Sequence, residues 1–89
     1  MALFLIERDF AEELGLDADD VQGIIAVNDD AGVRWVCSFL SADKRKTYCL
    51  YEAETAEAIL EAARRLNMPA DVIVRVDQLR PEDFIDAAR

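Results

Sequence analysis

The chain has 89 residues, of which 53% are apolar and 33% charged, a balance that fits one packed domain and excludes intrinsic disorder. A chain this short buries only about 60–65% of its unfolded surface, so a dimer interface would supplement its core. Acidic residues number 19 against 10 basic ones, and the net charge of −9 sets nucleic acid and anionic membranes aside as partners. Histidine is absent, which removes Ser-His and Cys-His nucleophiles and imidazole metal ligands from a single chain.

The opening run Met-Ala-Leu-Phe-Leu-Ile meets Glu7, Arg8 and Asp9 at once. It lacks a basic leader and a small-residue cleavage site, and no apolar run approaches the roughly 18 residues of a membrane span. A soluble, unprocessed protein is expected. Two cysteines, Cys37 and Cys49, are too few for a secreted disulfide framework, so the expected compartment is the cytoplasm, with reduced thiols.

In chain order, Ala2 to Arg8 is rich in large apolar side chains and reads as a first strand. Glu12 to Leu16, with Gly15, reads as a loop. Asp17 can cap a helix whose apolar positions are Val21, Ile24 and Ile25, with Asn28 in line, and which ends by Gly32. Val33 to Leu40 and Thr47 to Glu52 are β-branched and aromatic, with the polar hairpin loop Ser41 to Lys46 between them. Thr55 can cap a second helix, Ala56 to Leu66, with Ile59, Leu60, Ala63 and Leu66 as its core stripe; Asn67 and Pro69 stop it. Asp71 to Leu79 alternates as a last strand. Residues 1–79 thus form the domain, and 80–89 form a tail in which Pro81, Glu82 and Asp83 carry the signals of a short helix.

Strand–helix–strand–strand–helix–strand is the ferredoxin-like βαββαβ pattern, an α+β fold with two helices on one face of a four-stranded antiparallel sheet. Side chains alternate at period two along a strand. The nearly all-apolar even set, Phe4, Ile6, Val36, Leu40, Tyr48, Leu50, Val72, Val74 and Val76, is expected beneath the helices. The odd set, Leu5, Glu7, Trp35, Cys37, Phe39, Cys49, Tyr51, Ile73, Arg75 and Asp77, is expected on the open face, provided no bulge breaks the parity. Aromatics there point to a homodimer packed sheet on sheet, to a pocket between the sheets lined by Trp35, Phe39, Tyr51 and Arg75, or to both.

Cys37 and Cys49 share parity across the hairpin, so as thiolates they can bind a soft metal with Glu7 as a third ligand, or close a disulfide if directly opposite. The alternative is two small buried hydrophobes with inert thiols. Glu7, Arg75 and Asp77 can orient a small anion or simply form an ion-pair network. Lys44, Arg45 and Lys46 read as a solvated hairpin tip, and the glycines at 15, 23 and 32 match no phosphate or dinucleotide motif.

Three stretches, FLIERDF, GVRWVCSFLSADKRKTYCLYEAET and AILEAARRLNMPADVIVRV, resemble a family of small bacterial ferredoxin-fold proteins catalogued as a domain of unknown function, whose best-known kind is called a nickel-binding protein. The resemblance implies a ferredoxin-like dimer and a divalent transition metal, nickel or zinc, near the sheet. Family members commonly carry histidine where this chain has Cys37, so an imidazole site does not carry over; a thiolate there favours zinc, copper(I) or thiolate nickel. Three functions stand side by side: a metal- or small-ligand-binding dimer with no catalytic residues, a cofactor-independent enzyme of the dimeric α+β barrel type, and a structural or regulatory dimer with no site.

Overall fold

A computed structural model describes residues 1–87 of the chain. The strand β1 (Ala2–Asp9) leads through a loop to the helix α1 (Ala18–Asp30), then to β2 (Arg34–Leu40), β3 (Lys46–Ala53), α2 (Ala56–Arg65), β4 (Val72–Val76) and a short terminal α3 (Pro81–Ala87). The sheet order is β2-β3-β1-β4, antiparallel throughout. This is the ferredoxin-like α+β fold.

The helix ends follow from local chemistry. Asp17 accepts a hydrogen bond from the Asp20 amide at 2.8 Å while the Asp20 carboxylate accepts from the Asp17 amide at 3.2 Å, a reciprocal cap on α1. Gly32, at φ 76°, turns the chain out of α1 in the left-handed region that glycine tolerates. Thr55 caps α2 through the Ala58 amide. The stripe that α2 buries is Ile59, Ala62 and Ala63, leaving Leu60 exposed; α1 buries Ile24 and Asn28 but leaves Ile25 exposed.

The strand registers assign every sheet residue to a face. On the helix side, three rows run from β2 through β3 and β1 to β4: Trp35, Tyr51, Phe4, Arg75; Ser38, Cys49, Ile6, Ile73; and Leu40, Thr47, Arg8. On the open side the rows are Arg34, Glu52, Leu3, Val76; Cys37, Leu50, Leu5, Val74; and Phe39, Tyr48, Glu7, Val72. The expected parity therefore holds in β1 and is inverted in β3 and β4. Cys49 and Tyr51 are buried, and Ile73 packs against the core, whereas Val74 is 46% exposed and Leu50 half-buried. In β2 a bulge between Trp35 and Cys37 resets the parity midway. Trp35 therefore lies on the helix side, with Cys37 and Phe39 on the open side and Val36 exposed at the bulge itself.

The inversion has a physical reason. The open face is at least as apolar as the covered one, so hydrophobicity alone cannot choose between them. Pairing does choose, because β1 places Phe4 and Ile6 under the helices and its partners must follow. Ile6 and Ile59 are the large side chains sealed at the centre, 0% and 1% exposed. Ile59→Ala is expected to cost about 2–5 kcal/mol in denaturant unfolding, whereas Leu60→Ala, on the exposed side of α2, should cost less than about 1 kcal/mol.

Candidate functional site

Between the helix-side surface of β2 and β3, the start of α1 and the loop that precedes it lies a cavity of about 170 Å³. Phe10, Leu14, Leu16, Ile24 and Met68 form its outer wall; Trp35, Ser38, Leu40, Thr47, Cys49 and Tyr51 form its sheet-side wall. The loop is tied to the hairpin by hydrogen bonds from the Phe10 amide to the Arg45 carbonyl at 2.8 Å and from the Leu14 amide to the Lys44 carbonyl at 2.7 Å. Lys44, at φ 62°, makes the hairpin turn that presents those carbonyls. The Trp35 and Tyr51 rings stack with centroids 6.5 Å apart, and the Trp35 indole N–H donates to Ser38 Oγ at 2.7 Å.

The polar groups at this wall are unusual for so small a core. Arg8, paired directly with Thr47 across β1 and β3, is 3% exposed. Its guanidinium donates to the Pro69 carbonyl at 2.6 Å and to the Tyr51 hydroxyl at 3.3 Å, and lies 5.6 Å from the centre of the Tyr51 ring. Among the described residues no carboxylate pairs with it, and its Nε has no partner. Thr47, 5% exposed, has a hydroxyl with no partner. A buried cation without a counter-charge costs several kcal/mol, and an unmade buried hydrogen bond about 1–3 kcal/mol.

Burial pushes the Tyr51 phenol above its ordinary range, and the neighbouring Arg8 charge and hydrogen bond only partly offset this. The hydroxyl is therefore a donor, not a base, at neutral pH. Because the folded state holds the Tyr51 proton more tightly than the unfolded chain, this contribution to stability is complete below about pH 10. It is lost as pH rises beyond that value.

The structure separates the candidate metal ligands. Cys37 is exposed on the open face; Cys49 is buried on the helix side, opposite Ser38 instead of Cys37. The hairpin register is the cause, since it pairs Cys37 with Leu50 and Ser38 with Cys49, and it rules out both a disulfide and a shared ion between these two thiols. Glu7 shares the open face with Cys37 but stands two strands away, roughly 10 Å at the usual strand spacing, and its carboxylate is engaged by Lys46 at 3.1 Å. That contact raises the Lys46 ammonium above its ordinary range. Of the residues expected to line a pocket, Trp35, Tyr51 and Arg75 do fall in one row, but on the helix side, with Arg75 exposed at the far strand; Phe39 is on the opposite face. Trp35 and Tyr51 line the cavity, and Asp77 lies exposed beyond β4. Arg8 and Thr47 went unremarked in the sequence. Extending the β1 parity of Phe4 and Ile6 by one step brings Arg8 inside, and that was the available signal.

Residues 4–76 match the family model described as nickel responsive protein SCO4226-like. The chain belongs to this family. The crystal structure of SCO4226 from Streptomyces coelicolor A3(2) is similar to it at 25% sequence identity and a TM-score of 0.71, over 89% of this chain and 100% of that one. No curated protein matches the sequence.

The family name raises nickel, and the residues here do not fit a nickel centre within one chain. Histidine is absent, and among the described residues no three Cys, Asp or Glu side chains gather closely enough to hold an ion. Alkylation of Cys49, sealed on the helix side, should therefore be slow, and neither thiol's labelling rate should be altered by added nickel or zinc. Metal-dependent protection of both thiols would contradict this arrangement.

Proposed function

We propose that the protein is a homodimeric small-ligand-binding member of the nickel-responsive family, its sheet face forming the dimer and its helix-side cavity taking the ligand. The observation that carries the binding reading is the cavity itself: an apolar, partly enclosed space with three hydroxyl-bearing residues, Ser38, Thr47 and Tyr51, in its wall. At about 170 Å³ it suits a single ring, since an engineered cavity of roughly 150 Å³ accepts benzene. Binding is favoured over catalysis because the chain has no histidine and the Tyr51 phenol stays protonated. The cytoplasm suits its two free thiols.

The dimer reading rests on the open face. Its central row, Cys37, Leu50, Leu5 and Val74, is wholly apolar, and Phe39 and Tyr48 extend it with 63% and 36% of their surface exposed. Each end row carries both charge signs: Arg34 beside Glu52 at 3.1 Å, and Lys46 beside Glu7. A second copy related by a two-fold axis would meet no row of like charge. In a chain of net charge −9, this nearly balanced face is where two copies approach at least electrostatic cost. Aligned sheet packing would place the faces about 10 Å apart, with the apolar rows between them.

Two measurements test these halves. The single tryptophan sits in the cavity wall, so titration with benzamide should change its fluorescence saturably, and Leu14→Phe, which fills the cavity without adding a second indole, should abolish binding. A non-saturable response, or one indifferent to the filling, would remove the binding reading. In sedimentation at micromolar concentration the native chain should be a dimer, and Val74→Glu a monomer or aggregate; a native monomer would remove the dimer.

A further inference from the structure

The cavity is lined almost wholly by apolar surface, and the few polar groups on its sheet-side wall identify the kind of ligand. The Tyr51 hydroxyl accepts from Arg8 and the Ser38 hydroxyl accepts from Trp35, so each has its own proton left to donate. Thr47 donates to nothing in the protein. Three hydroxyls on one wall thus offer hydrogen-bond donation. Behind them stands the Arg8 guanidinium, 3% exposed, held against Tyr51 and Pro69 and without a counter-ion among the described residues. The remaining wall is apolar, with Phe10, Leu14 and Met68 facing this polar strip.

We propose that the cavity takes a small hydrophobic carboxylate: one ring or a branched chain of about nine non-hydrogen atoms, bearing a single carboxylate. This rests on the ligand-binding reading above and adds the chemistry of the ligand. The carboxylate accepts from the Thr47 and Tyr51 hydroxyls. Arg8 acts through Tyr51, as a positioning residue that polarises the phenolic O–H and supplies the positive field a carboxylate needs on leaving water. The apolar part fills the space beneath Trp35, which a phosphate or a sugar would waste. A ligand charge of −1 is also what the buried guanidinium lacks, so binding completes a charge pair that folding leaves half-made.

Benzoate and benzamide are nearly the same shape and differ in charge, so the pair separates this proposal from the reading beneath it. In Trp35 fluorescence titrations of the native protein, benzoate should bind at least tenfold more tightly than benzamide. Arg8→Met should bring that preference close to one while benzamide binding persists. Thr47→Val, which replaces the hydroxyl by a methyl of the same size, should weaken benzoate about tenfold, the loss expected for one hydrogen bond to a charged group. Should Arg8→Met fail to fold, Thr47→Val decides: unchanged benzoate affinity overturns the proposal. Equal affinity for the two probes in the native protein overturns the carboxylate and leaves the ligand-binding reading standing. Binding of neither overturns both.

Discussion

The whole structure depends on a sheet that is apolar on both faces in a chain with helices for only one. Eighty-nine residues supply two packing helices, and α1 and α2 both lie against the side bearing Phe4, Ile6, Cys49 and Tyr51. The other side presents Leu5, Leu50, Val74, Phe39 and Tyr48, and among the described residues neither α1 nor α2 packs across it. A small domain has little surplus stability, so leaving such a face in water is costly at roughly 25 cal/mol per Å². In the proposed dimer, pairing two copies would turn the deficiency into a second core and leave the helix side free to hold a cavity.

The same two-sidedness decides how much could be read from the sequence. The order of elements was legible, because caps such as Asp17 and Thr55, the stop at Gly32 and the β-rich runs are local signals. Which side of each strand faces inward was legible for β1 and for the part of β2 from Cys37 to Leu40. In β1 the alternation of Phe4 and Ile6 with Glu7 is unambiguous. In β4, three valines looked like core and Arg75 like surface, yet Ile73 packs inward while Val74 faces out. The residues the chain's own helices cover in β3 are a threonine, a cysteine, a tyrosine and an alanine. Those are types that a hydrophobicity rule ranks below the leucine and valines outside. In β2 the bulge at Val36 moved Trp35 and Cys37 to different faces, and nothing in the local sequence marks it.

That single extra residue also brings Trp35 to the cavity wall. With regular pairing, Trp35 would share a face with Cys37 and Phe39; with the bulge it stacks on Tyr51 beneath α1 and donates to Ser38. The cysteine at position 37, where related chains were expected to carry histidine, lies on the open face, with the sheet between it and Cys49. Membership of the nickel-responsive family and a donor set unsuited to nickel are compatible if this chain keeps the family's fold and uses its other face. In the proposed reading, Arg8 would give that face its chemical preference. Buried beside Thr47 and Tyr51, it is a standing charge in a core built mainly from apolar side chains.

The central claim is that the open sheet face is covered by a second copy. The most direct test is an isotope-filtered NOE experiment on a mixture of labelled and unlabelled chains, which reads only contacts between copies. The account predicts intermolecular contacts from the methyl groups of Leu5, Leu50 and Val74 to the Phe39 and Tyr48 rings. Intermolecular contacts confined to α1 and α2, or none at concentrations where the chain is folded, would contradict it.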